Sequence, residues 1–94
     1  MVVLITGCRS GFGLLAAVEA ARRGHRVYAG LRDISTKDDL VQAAGDLPVF
    51  PVQLDVTDSD QRAGAVQEIV QVEGRIDALV NNAGVALGGY LEQI

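Results

Sequence analysis

One cysteine, one histidine and one lysine stand among these 94 residues. A single cysteine excludes an internal disulfide and agrees with a reducing cytosol. No apolar run approaches the roughly 20 residues that span a bilayer. Met1 leads straight into an apolar stretch, without the basic segment and hydrophobic run of a secretory leader. A membrane is therefore not an expected partner, and the expected location is cytoplasmic. Basic stripes are also missing, which argues against nucleic acid.

Ninety-four residues make at most one small domain. The chain is 49% apolar and 21% charged, an ordinary balance for a core-forming chain. A chain this short buries only about two thirds of its unfolded surface, so its stability is marginal. Its net charge of −4 is unevenly spread. Residues 1–50 carry six Lys or Arg against five Asp or Glu, and residues 51–94 carry two against seven. Arg22, Arg23, Arg62 and Arg75 read as solvated helix surface.

Val2 to Gly13 organises the rest. Val2, Val3, Leu4, Ile5 and Thr6 end abruptly in a glycine-rich turn, after which Leu14, Leu15, Val18 and Ala21 recur at helical spacing. A buried strand, a tight turn and a helix open a βαβ unit. Gly7 lets the chain leave the strand where a Cβ would obstruct it. Gly11 and Gly13 keep the helix start bare, so its free N–H groups and dipole can meet an anion, most simply a pyrophosphate.

The remaining pattern alternates. The first helix should run from Ser10 or Gly11 to Arg23 and stop at Gly24. His25 follows in a turn away from the ligand end and reads as a solvated residue, neither catalyst nor ligand. Val27 to Leu31 is a second strand. Ser35 or Thr36 can cap a second helix whose apolar side is Leu40, Val41 and Ala44 and which Gly45 stops. Leu47 to Leu54 is a third strand, placed at a sheet edge by Pro51, which cannot donate a ladder hydrogen bond. Asp58 or Ser59 can cap a third helix with Ala63, Val66, Ile69 and Val70 inward, weakened by Gly64 and ended by Gly74. Asp77 to Val80 is a fourth strand. This β-α-β-α-β-α-β order predicts an α/β, Rossmann-like, doubly wound parallel sheet of strand order 3-2-1-4. A crevice then opens at the carboxyl ends of strands 1 and 4.

Four patches, each at a strand end, resemble the short-chain dehydrogenase/reductase family. The first is Thr6-Gly7-Cys8-Arg9-Ser10-Gly11-Phe12-Gly13, similar to the family's TGxxxGxG turn; a G-x-G-x-x-A frame on Gly11, Gly13 and Ala16 starts too far past the strand. The second is Gly30-Leu31-Arg32-Asp33. In the family an acidic strand tip binds the ribose hydroxyls of NAD, whereas an arginine just beyond favours NADP. Leu31 at the tip followed by Arg32 looks like the NADP pattern, with NAD the alternative. A guanidinium can pair bidentately with a 2′-phosphate that a carboxylate would repel. Asp33 reads as a turn or helix-start residue. The third patch is Asp55-Val56, whose family equivalents lie near the adenine; Asp55 can also form a strand-end Asx turn. The fourth is Asn81-Asn82-Ala83-Gly84, similar to the family's NNAG motif, in which the asparagines tie the central strands together and the Ala-Gly backbone passes the ribose. Arg9 departs from the family's small or hydroxyl residue and is either a second cation for the 2′-phosphate or a solvent-facing side chain. Cys8 reads as a small packing residue.

The family's catalytic Tyr-x-x-x-Lys is not found. Lys37 has Asp33 four residues before it, Tyr28 has Arg32 four residues after it, and Tyr90 has Ile94. The resemblance thus implies the N-terminal cofactor-binding part, residues 1–94, of a longer enzyme, truncated before strand 5 and carrying no catalytic or metal-binding residue. The whole enzyme would interconvert an alcohol and a carbonyl compound and would form homo-oligomers. The piece alone is expected to be inactive and, with strand 4 an open edge, prone to aggregate. The turn and the YAGLRD segment look most like the steroid- and retinol-dehydrogenase-like branch. Two alternatives stand beside this reading. One is a non-catalytic dinucleotide-binding sensor. The other is a Rossmann-like methyltransferase, against which Arg32 and the NNAG motif argue.

Overall fold

A computed structural model describes residues 1–9 and 11–81. Four strands, β1 (Val2–Ile5), β2 (Arg26–Leu31), β3 (Val49–Gln53) and β4 (Ala78–Val80), alternate with three helices, α1 (Gly11–Arg22), α2 (Asp38–Ala44) and α3 (Ser59–Glu73). The strands are all parallel and lie in the order 3-2-1-4, as the sequence pattern predicts. β3 is an edge strand with Pro51 inside it. Among the described residues β4 is the other edge.

Each face of the sheet has its own core. Val3, Ile5, Val27, Ala29 and Leu31 point to one side, where Ala17, Ala21 and Leu40 of α1 and α2 cover them. Val2, Leu4, Tyr28 and Leu54 point to the other, under Ala65 and Ile69 of α3. This alternation along β1 and β2 is the period-2 geometry of a strand buried on both faces.

The helix faces agree with the sequence expectation only in part. In α1 Val18 and Ala21 are buried and Leu14 packs on the core as expected, joined by Gly13 and Ala17, but Leu15 is exposed. Leu15 lies two residues from both Gly13 and Ala17 and so falls on the opposite side of the helix. In α3 only Ala65 and Ile69 are buried; Ala63, Val66 and Val70 face solvent. The helix carries two apolar stripes, and the sheet takes the one centred on Ile69. Val41 of α2 is likewise exposed.

The caps divide in the same way. Asp58 caps α3 by accepting from the Asp60 and Gln61 amides. Ser35 and Thr36, by contrast, do not cap α2. The Asp33 carboxylate captures the Ser35 amide and hydroxyl at 3.0 and 2.7 Å. A 3₁₀ turn, Ile34–Thr36, forms first, and α2 begins after Lys37 without a side-chain cap.

At the amino ends of the strands Glu73 joins α3 to β2. Its carboxylate accepts the Tyr28 hydroxyl at 2.6 Å and Arg26 Nε at 2.8 and 3.0 Å. Arg26 also lies over the Phe50 ring, 4.9 Å from its centre. The Tyr28 hydroxyl first, and Arg26 second, hold the Glu73 carboxyl below the usual glutamate range. A folded-state pKa below the unfolded one gives stability that is present above the unfolded value and is lost as pH falls through the folded one. Urea unfolding of a Glu73→Gln variant should therefore show lower stability at neutral pH and a flatter decline on acidification below the ordinary glutamate range. An acid limb identical to that of the parent protein would remove Glu73 from this role.

Candidate functional site at the carboxyl ends of the strands

β1 does not release the chain when it ends. The Thr6 amide donates to the Val80 carbonyl at 3.0 Å and the Cys8 amide to the Gly30 carbonyl at 3.0 Å. Thr6 Oγ1 donates to Asn81 Oδ1 at 3.0 Å, which ties the ends of β1 and β4 together. The turn is thus stitched to β4 on one side and to β2 on the other. Gly7 (φ 68°) and Gly11 (φ 61°) adopt the left-handed conformation that glycine enters without strain. Among the described residues, a Cβ built on Gly11 would meet nothing within 4 Å. Gly13, by contrast, is buried against the sheet. Phe12 is among the most exposed apolar side chains.

Cys8 is fully buried, and its thiol donates to the Ile5 carbonyl at 3.1 Å. Burial pushes its pKa up to about 12. It is a packing residue, as its place in the sequence suggests, and not a nucleophile.

Beside the turn lies an open hollow of about 430 Å³ lined by Arg9, Arg32, Asp33, Thr36 and Asp55. It gathers residues from the ends of three strands. Leu31, at the tip of β2, is fully buried, so no acidic side chain stands there. Arg32 follows with its side chain 86% exposed. Asp55 forms the Asx turn: its Oδ1 accepts the Thr57 amide at 3.0 Å and the Thr57 hydroxyl at 2.7 Å. Those two bonds, more than the Arg32 charge, hold its carboxyl below the usual aspartate range. Asp33 is held low in the same way, by the Ser35 hydroxyl and then the Ser35 amide, with Arg9 a lesser cause. Both carboxylates are therefore occupied by neighbouring hydroxyls and amides. Arg32 Nε reaches Asp55 Oδ2 only at 3.7 Å. A pair at that distance with a largely exposed guanidinium contributes little to stability.

Arg9, Arg32 and Asp55 thus meet in one hollow, and Asp33 and Thr36 join them. Val56 is half-buried and packs into the core under α3. Ser10, Asn82, Ala83 and Gly84 lie outside the described residues. Gly30 opens the second patch, but the motif assigns it no role of its own. A Cβ there would stand 3.1 Å from Leu54 Cδ2 and 3.3 Å from the Ile5 carbonyl oxygen. A side chain there would require Leu54 and the end of β1 to give by a few tenths of an ångström.

No group of three or more His, Cys, Asp or Glu that could hold a metal ion occurs among the described residues. No helix among them is long and apolar enough to cross a membrane.

A family model described as short chain dehydrogenase matches residues 1–94. The chain is 46% identical to human 17-beta-hydroxysteroid dehydrogenase type 1, with 99% of this chain and 30% of that protein aligned. It is 49% identical to the 3-oxoacyl-[acyl-carrier-protein] reductase FabG of Thermotoga maritima, over 96% of this chain and 37% of that protein. Among solved structures, a metagenomic short-chain oxidoreductase in complex with NADP superposes with a TM-score of 0.81 at 29% identity. That alignment covers 89% of this chain and 39% of the other. The chain therefore spans about a third of the length of these relatives.

Proposed function

Because the chain belongs to the short-chain dehydrogenase family, we propose that it supplies the cofactor-binding part of an NADP-dependent oxidoreductase that interconverts an alcohol and a carbonyl compound. The observation that carries the cofactor choice is the hollow in which Arg9 and Arg32 stand together and a buried Leu31 replaces a strand-tip carboxylate. A planar guanidinium, loosely held and largely exposed, suits a phosphate dianion on the adenosine ribose. The solved relative in complex with NADP supports the same reading.

The residues present fit the dinucleotide. The glycine motif would take the pyrophosphate on the amides at the start of α1. Thr6 would hold the floor of the crevice through Asn81. Asp55 and the Val56 backbone would border the adenine, and Asn82, Ala83 and Gly84 the ribose. Ser10, Phe12 and Gly13 belong to the same sequence motif and are proposed with it as cofactor-binding residues. When bound, the nicotinamide would give a hydride to the carbonyl or take one from the alcohol; this chain's own part is to bind and orient. Proton transfer to the substrate oxygen would fall to residues outside these 94, as would homo-oligomer contacts. The substrate is left at the level of alcohol and carbonyl, because relatives named for a hydroxysteroid and for a 3-oxoacyl carrier match at similar identity.

The test is a fluorescence titration of the purified protein, at its natural length, with NADPH and NADH. NADPH should bind at least about tenfold more tightly, the scale of one or two charge-assisted hydrogen bonds. Equal affinities, or tighter NADH, would overturn the cofactor choice.

A further inference from the structure

The backbone of β3 parts from β2 just where Arg32 begins. The last main-chain ladder bond runs from the Leu54 amide to the Leu31 carbonyl at 2.7 Å. Beyond it a side chain takes over. Gln53 Nε2 donates to the Arg32 carbonyl at 2.7 Å, and Gln53 Oε1 accepts the Ile34 amide at 2.8 Å. The carboxamide thus offers β2 one donor and one acceptor, the pair that another strand residue would have offered. The same Nε2 reaches Gln61 Oε1 at 3.2 Å, and Gln61 Oε1 accepts the Asp55 amide at 2.8 Å. Two glutamines therefore link the backbone on both sides of Asp33 to the backbone of Asp55 and to the first turn of α3.

We propose that Gln53, supported by Gln61, is a positioning residue for cofactor discrimination: it holds the Arg32 segment and the Asp55 turn at a fixed separation across the hollow. This proposal rests on the NADP reading above. Among the described residues the Arg32 side chain is held only by its long contact with Asp55, and it is itself largely exposed. The place of its guanidinium is therefore set through its main chain. A long, flexible side chain loses affinity when its base moves, because the entropy of ordering it is no longer offset by well-aligned bonds. NADH has no 2′-phosphate for Arg32 to grip, so it should be nearly indifferent to that movement. The bonds of Gln61 also have a direction. Both use its Oε1 as an acceptor, so a carboxylate can replace that amide. Gln53 must donate and accept at once, so only an amide of that length will serve.

The experiment compares NADPH and NADH dissociation constants for the purified protein and three variants. Gln53→Met keeps the length and removes the bonds. It should lower the NADPH-to-NADH preference about five- to tenfold with NADH binding within about twofold of the parent. Gln61→Glu should keep the preference within about twofold, whereas Gln61→Met should lose it in part. If Gln53→Met does not fold, Gln53→Asn, which retains the amide but is one methylene short, takes its place with the same expectation. A role in stability alone would shift the urea midpoint and leave the ratio of affinities unmoved. An unchanged ratio in the Gln53 variant, or an equal weakening of both cofactors, overturns the proposal while leaving the NADP reading intact. A parent protein without NADPH preference overturns that reading, and the discrimination assigned to Gln53 falls with it.

Discussion

Replacing Arg32 by aspartate should weaken NADPH binding by about 100-fold or more and leave NADH binding within about threefold. The estimate takes the upper end of what charge-assisted hydrogen bonds contribute, about 3 kcal/mol, and adds the repulsion that a new carboxylate exerts on a phosphate dianion. Lysine at the same place should recover part of the loss, because it restores the charge but not the two parallel N–H groups. Folding should be spared. The side chain is 86% exposed, and its one ion pair among the described residues is 3.7 Å long, so the unfolding free energy should change by no more than about 0.5 kcal/mol. Parallel titrations with the two cofactors check the first expectation, and chemical denaturation the second. An Arg32→Asp protein that binds NADPH as the parent does would exclude Arg32 from the phosphate site and shift attention to Arg9 alone.

Truncating Ile69 to alanine should cost about 3 kcal/mol of stability, within the range seen when a fully buried aliphatic side chain leaves a cavity. Val66→Ala and Val70→Ala should each cost no more than about 0.5 kcal/mol, as exposed substitutions do. The contrast follows from how α3 lies on the sheet. Ile69 is fully buried among Leu4, Tyr28, Leu54 and Ala65, whereas Val66 and Val70 are each 42% exposed. The attachment of α3 is thus concentrated on Ile69, Ala65 and the Glu73 contacts with Tyr28 and Arg26. Urea denaturation of the three variants at one pH measures all three costs. Equal losses at Val66, Ile69 and Val70 would mean that the helix rests on a broader face than this geometry allows.

These two results would test different depths of the same chain. Arg32 was visible in the sequence because the segment after a strand carries local chemistry: a buried strand tip, then a cation. The glycine turn was visible for the same reason, since a ligand-facing turn needs glycine at particular steps. The Asp58 cap, the stops at Gly24, Gly45 and Gly74, and the edge position of Pro51's strand also depend on near neighbours in the chain. Even the strand order was legible, because right-handed crossovers leave few ways to wind alternating strands and helices.

What the sequence determined by itself was therefore the set of elements, their order in the sheet and the strand ends that carry the candidate site. Each of these follows from periodicity, turn chemistry or chain handedness, which act over a few residues or through a general rule. Tertiary structure alone decided the rest. It chose the Ile69 stripe of α3 over the Val66 and Val70 stripe, because helical periodicity does not say which of two apolar faces meets the sheet. It left little room for a side chain at Gly30, because only assembly brings Leu54 and the Ile5 carbonyl against that strand. It joined Glu73 to Tyr28 across 45 residues and Gln53 to the Arg32 carbonyl across 21. Hydrogen bonds between side chains and distant partners leave no spacing in a sequence, since the chain must first fold to bring the partners within 3 Å of each other.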